Sequence, residues 1–120
     1  MNKKNTLREE SIDFAVAVSD ICENISGCSV YKNQLIKASS SIGANIHEAK
    51  YAQSRADFIH KLEIALKESS ETEYWIELLY RKNAFSAEES LLLKNMCGKI
   101  RRKLIASITT AKNNTPVETI

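Results

Sequence analysis

From Phe58 to Leu79 the chain places apolar or small side chains at Phe58, Leu62, Ala65, Ser69, Thr72, Ile76 and Leu79. The steps alternate between four and three. That rhythm belongs to one stripe of a helix packed at a shallow angle on its neighbours. No glycine or proline interrupts it; the glycines are Gly27, Gly43 and Gly98, and the only proline is Pro116. A chain so poor in helix breakers is constrained to an all-helical fold with short connections.

Three further segments carry helical spacing. The first opens at Thr6, where Thr6 and Glu9 form a capping-box pattern. It runs through Phe14, Ala15, Val18, Ile21, Cys22 and Ile25 to Gly27, which suits a left-handed helix end. The second places Tyr31, Leu35, Ala38, Ile42, Asn45 or Ile46, and Ala49 on its inner stripe. Its run of Ser39, Ser40, Ser41, Gly43 and Ala44 is small enough for another backbone to cross closely. Ser54 with Asp57 caps the long third helix, Asn83 ends it, and Ser86 with Glu89 opens the last. The last helix turns Leu93, Cys97, Ile100, Leu104, Ile108 and Ala111 inward, with Met96 at the edge. The spacing predicts helices over about 7–26, 31–52, 55–82 and 87–112 and a frayed tail over 113–120. Four such segments on short links make one domain, an antiparallel up-and-down four-helix bundle.

No apolar run approaches the roughly 20 residues of a membrane span. The N-terminal stretch has no apolar signal core, so the expected location is cytoplasmic. Cys22, Cys28 and Cys97 are odd in number and lack metal-ligand spacing; Cys22 and Cys97 read as small core residues.

Two surfaces stand out. Ile64, Trp75 and Leu78 lie on a flank well away from the Phe58–Ile76 seam, at roughly 100° per residue. A lone bundle would leave part of this flank exposed, a tryptophan included, and such patches usually mark partner surfaces. Gly43, Ile64, Tyr74, Trp75 and Leu78 are therefore expected at a contact between copies. The second surface is charged. Ser90 to Val117 contains no acidic residue but holds Lys94, Lys99, Arg101, Arg102, Lys103 and Lys112. These cations fall outside the inner arc, where they could neutralise the phosphates of RNA or DNA. No aromatic residue interleaves with them, so base stacking is not expected.

Asn45, Glu48, Ser69, Thr72 and Glu73 are expected to form a structural polar network between the second and third helices, because a buried polar group without partners is costly. No catalytic constellation, metal site or cofactor is expected. His47, Glu48, His60, Glu63, Glu68 and Glu71 are the only metal-ligating candidates, and His60-x-x-Glu63 reverses the Glu-x-x-His order of carboxylate-bridged bundles. Asp13, Asp20 and Glu23 fall on outer positions, so the first and last helices supply no inward carboxylate.

The middle of the chain carries Gln34-Leu35, Ser41-Ile42-Gly43-Ala44-Asn45-Ile46, Glu48-Ala49, Ser54, Phe58-Ile59, Leu62, Ile64-Ala65, Lys67-Glu68, Glu71-Thr72 and Tyr74-Trp75. In these residues it resembles a family of small bundle proteins first noted in intervening sequences of large-subunit ribosomal RNA genes. His47 departs from the alanine or acidic residue common there. The resemblance implies a left-handed bundle and a ring-like homopentamer. It also implies kinship with accessory proteins of diversity-generating retroelements, which work with a reverse transcriptase and nucleic acid. The expected function is a non-catalytic homo-oligomeric scaffold that binds RNA or DNA backbone through its last helix. The alternative is a protein-interaction adaptor without nucleic acid.

Overall fold

The computed structural model describes residues 6–113. Four helices follow one another: α1 (Leu7–Glu23), α2 (Ser29–Ala49), α3 (Arg55–Arg81) and α4 (Ala87–Lys112). The tail expected to fray lies, from residue 114 onward, outside the described residues.

Three helices start on a hydroxyl that accepts from the first turn. Thr6 accepts from the Glu9 amide at 3.1 Å, Ser54 from Asp57 at 3.0 Å, and Ser86 from Glu89 at 3.0 Å. Only Ser86 has the reciprocal bond, its amide donating to Glu89 Oε1 at 2.9 Å. At Thr6 the expected box is half made, because the Glu9 carboxylate pairs with Arg8 instead. α1 stops three residues short of the expected end. Asn24 caps it, and Gly27 and Cys28 then turn the chain with φ of 78° and 56°. α3 ends in a Schellman motif: Asn83 is left-handed at φ 64°, its amide donates to Tyr80, and the Ala84 amide donates to Leu79.

α1 packs on α2 and α4, α3 packs on α2 and α4, and the diagonal pairs stay apart. Cross-helix contacts show that neighbours run antiparallel: Ser11 meets Gly43, Tyr31 meets Trp75, and Glu77 and Glu63 of α3 meet Lys94 and Lys112 of α4. The core is the inner stripe of each helix, with Phe14, Leu35, Ile42, Leu62, Ile76, Leu93 and Leu104 fully buried. Burying each such side chain contributes about 1.5–3 kcal/mol. Ser69 and Thr72 are equally buried, and their hydroxyls return to their own helix at the Leu66 and Glu68 carbonyls.

The small-residue run of α2 is a close-crossing site, and the crossing is with α1 of the same chain. A Cβ on Gly43 would sit 3.2 Å from Ser11 Oγ. Ser11 is buried, and its hydroxyl is held by the Arg8 carbonyl at 2.7 Å. Alanine at 43 gains about 1 kcal/mol of helix propensity and loses much of it to this contact. Gly43→Ala is therefore expected to be close to neutral in urea unfolding. Gly43→Val, which cannot be accommodated by a small shift, is expected to destabilise by roughly 1–3 kcal/mol. A stable Gly43→Val protein would contradict the close crossing.

Candidate functional site

The aromatic flank of α3 is built against α2. Tyr31 stacks on Trp75 with ring centroids 6.1 Å apart, and Tyr74 meets Trp75 edge-on at 4.9 Å. Trp75 is half-buried against the core, and Ile64 and Leu78 are also only partly exposed. The tryptophan is thus partly exposed, with Tyr31 stacked on the indole within one chain. What stays open is Tyr74, 60 % exposed, and a shallow groove of about 300 Å³ lined by Tyr74, Glu77, Leu78, Arg81 and Lys82. Gly43, grouped with this flank in the sequence, sits instead at the α1–α2 crossing.

The basic residues of α4 divide by direction. Lys94, Arg101 and Lys112 lie on the side facing α3 and pair with Glu77, Glu73 and Glu63. Arg101 reaches Glu73 at 3.3 Å and Lys112 reaches Glu63 at 3.1 Å. The three pairs form a ladder along the antiparallel α3–α4 contact. Lys103 points the other way, to α1, and its ammonium pairs with Glu10. Lys99 and Arg102 are exposed and have no acidic partner among the described residues. The uniform basic arc expected of α4 is therefore two free cations and four internally paired ones.

Glu10 also corrects the expectation that α1 supplies no inward carboxylate. It is buried at 8 % exposure, and its Oε1 has no hydrogen-bond partner. Lys103 is what compensates the charge.

The polar residues of α2 and α3 do not join into one network. Asn45 donates to the Ser41 carbonyl at 2.9 Å, Ser69 and Thr72 bond within α3, and Glu73 pairs with Arg101 of α4. Glu48 pairs with Lys61 at 2.9 Å on the exposed α2–α3 rim. Short hydroxyl and amide side chains find the carbonyl one turn back sooner than a partner across the bundle. Among the described residues no three His, Cys, Asp or Glu side chains gather to hold a metal ion.

Two carboxyls titrate in opposite senses. The Lys94 and Arg81 partners hold Glu77 below the ordinary carboxylate range, so its contribution is present at neutral pH and lost as pH falls through that lowered value. Burial, and then the neighbouring Glu71, push Glu68 upward, so the fold is favoured when Glu68 takes its proton. Burial, with the charge of Glu73, pushes the Cys97 thiol up to about 12, which leaves it unreactive.

Several exposed apolar side chains had no signal in the inner-stripe periodicity. Ile12 and Val16 stand on the outer face of α1, and Leu91, Leu92 and Ile105 on the outer side of α4. Their signal is the helical wheel read on its far side.

These elements define a small antiparallel four-helix bundle with apolar and charged outer faces. The chain belongs to the 23S rRNA-intervening sequence protein family, whose sequence model matches residues 3–106. It is similar to a crystal structure from Bacteroides thetaiotaomicron of a protein with unknown function from the S23 ribosomal protein family. That chain is 42 % identical with a TM-score of 0.82, over 87 % of this chain and 96 % of that one. No curated protein matches the chain. Among the described residues no helix is long and apolar enough to cross a membrane.

Lys103→Ala is expected to destabilise by roughly 1–3 kcal/mol because it strands a buried carboxylate. Arg101→Ala and Lys112→Ala free carboxylates that water reaches, so their losses in urea unfolding are expected to be smaller; equal losses would contradict the distinction. Glu68→Gln is expected to raise the thermal midpoint at neutral pH and to give little gain near about pH 4, where carboxyls protonate. A gain that persists in acid would contradict the charge origin.

Proposed function

We propose that this protein is a non-catalytic helical scaffold that works as a homo-oligomer in the cytoplasm. The supporting observation is the set of large apolar side chains on its outer helix faces. Ile12, Val16, Leu91, Leu92 and Ile105 are 42–60 % exposed although the bundle already has a complete core. Surfaces of this kind are covered by partners, and identical copies are the simplest partner. The family resemblance favours a closed ring, a pentamer. The three free cysteines suit a reducing compartment.

RNA or DNA backbone is the second reading. It is favoured by the two free cations, Lys99 and Arg102, and by the ribosomal names of the family and of the similar structure. Two free cations per copy correspond to release of about two counterions per copy on binding, well below what six would give. A protein partner seated in the Tyr74–Leu78 groove, without nucleic acid, is the adaptor form of the scaffold.

Light scattering of the purified protein tests the scaffold. The expected mass is a multiple of the 13.5 kDa chain, five-fold for the pentamer. A single-chain mass at micromolar concentration would overturn self-assembly. A parallel titration with a mixed RNA and DNA pool at low and raised salt tests the second reading: binding through these cations weakens with salt and disappears in Lys99→Glu with Arg102→Glu. Binding unaffected by that double reversal would exclude α4 as the nucleic-acid surface.

A further inference from the structure

α1 and α4 carry opposite charge. α1 has Glu9, Glu10, Asp13, Asp20 and Glu23 against Arg8, a net charge of −4. α4 has six cations against Glu88 and Glu89, a net charge of +4. Part of this is satisfied within the chain: Glu10 pairs with Lys103, Glu9 with Arg8, and three cations of α4 with α3. Asp13, Asp20 and Glu23 on α1 have no ion-pair partner among the described residues, nor have Lys99 and Arg102 on α4, and all five are exposed.

These charges share their helix faces with the exposed apolar residues. At about 100° per residue, Ile12, Val16, Asp13, Asp20 and Glu23 fall within one outer arc of α1. On α4, Lys99 and Arg102 fall between Leu92 on one side and Leu91 and Ile105 on the other. On α1 the exposed apolar residues interleave with carboxylates. On α4 they flank the two cations, and Glu88 in the first turn is the one exposed carboxylate on that arc, so the faces are net acidic and net basic. Such a face repels its own copy, since α1 on α1 crowds carboxylates and α4 on α4 crowds cations. α1 on α4 instead sets apolar against apolar and opposite charges together, the arrangement that fixes partner and register. Within one chain the two outer arcs cannot meet, because α1 and α4 lie side by side and both arcs face away from the core.

We infer that the outer face of α1 in one copy docks on the outer face of α4 in a second copy of this chain. This rests on the self-assembly reading above and names the surfaces that carry it. Each copy then offers one acidic and one basic face, and repetition of one such unlike contact generates a ring or a chain of copies. It also occupies Lys99 and Arg102, so the assembled protein has no free cation on that arc for a phosphate backbone.

Charge reversal and rescue tests the contact. One variant carries Asp13→Lys with Asp20→Lys, a second carries Lys99→Glu with Arg102→Glu, and a third combines all four. Circular dichroism checks helicity, and light scattering at matched concentration reads mass. The expected result is an assembled wild type, single-chain mass for each double reversal, and recovered assembly in the combined variant, where the faces are again opposite. A fourth variant, Ile12→Asn with Val16→Asn, removes the apolar strip at exposed positions without changing charge and is also expected at single-chain mass. An assembled wild type with unchanged mass in the reversals and in the fourth variant would overturn the α1–α4 contact and leave self-assembly standing. Failure of the combined variant to reassemble, while remaining helical, would overturn the charge pairing. A single-chain wild type would overturn self-assembly itself, and the contact with it. RNA binding by the assembled wild type that is lost in the Lys99 and Arg102 reversal would assign those cations to nucleic acid instead.

Discussion

The buried stripe of α3 is the constraint to which the other helices are fitted. It packs on α2 and α4 at once, and its middle is made of small residues: Ala65, Ser69 and Thr72 are fully buried between Leu62 and the Ile76–Leu79 pair. Small side chains there let α4 come in close, so that the Cys97 thiol lies 3.5 Å from the Ser69 carbonyl. That approach lays one flank of α4 along the glutamates of α3. The ion-pair ladder follows from the packing, and exposed pairs of this kind add little stability of their own. Their consequence is for charge, because they neutralise half of the cations that make α4 look basic.

That neutralisation reshapes the functional question. A helix with six free cations on one arc is a candidate for phosphate backbones. A helix with two, set among exposed leucines and an isoleucine, is better suited to another protein surface. The same shift occurs on the aromatic flank, where Tyr31 closes over Trp75 and leaves Tyr74 as the exposed ring. Exposed aliphatic groups cluster on α1 and α4, and α1 brings a carboxylate excess where α4 has an excess of cations.

The bundle itself was largely legible in the sequence. Helix periodicity, hydroxyl caps and the small run around Gly43 are local signals, and each led to the observed element. What sequence reasoning missed depends on how one helix faces another. Lys103 and Arg101 are two residues apart, yet one turns to Glu10 of α1 and the other to Glu73 of α3. Only the order of helices around the core separates them. The proposed polar network assumed that Asn45, Glu48, Ser69, Thr72 and Glu73 would seek each other, whereas the hydroxyls and the amide are satisfied one turn away. Ile12, Val16 and Ile105 give no signal in the sequence, because single apolar residues on outer positions are ordinary in any one helix. They acquire meaning only when two neighbouring helices show them together with charges of opposite sign.

The α1–α4 contact between copies can be read directly by zero-length carbodiimide cross-linking of carboxylates to lysine. Isotopically light and heavy chains would be refolded together and their linked peptides sorted by mass. Links from Lys99 of one isotope to Asp13, Asp20 or Glu23 of the other are the expected product. An assembled protein in which every Lys99 link stays within a single isotope would contradict the contact.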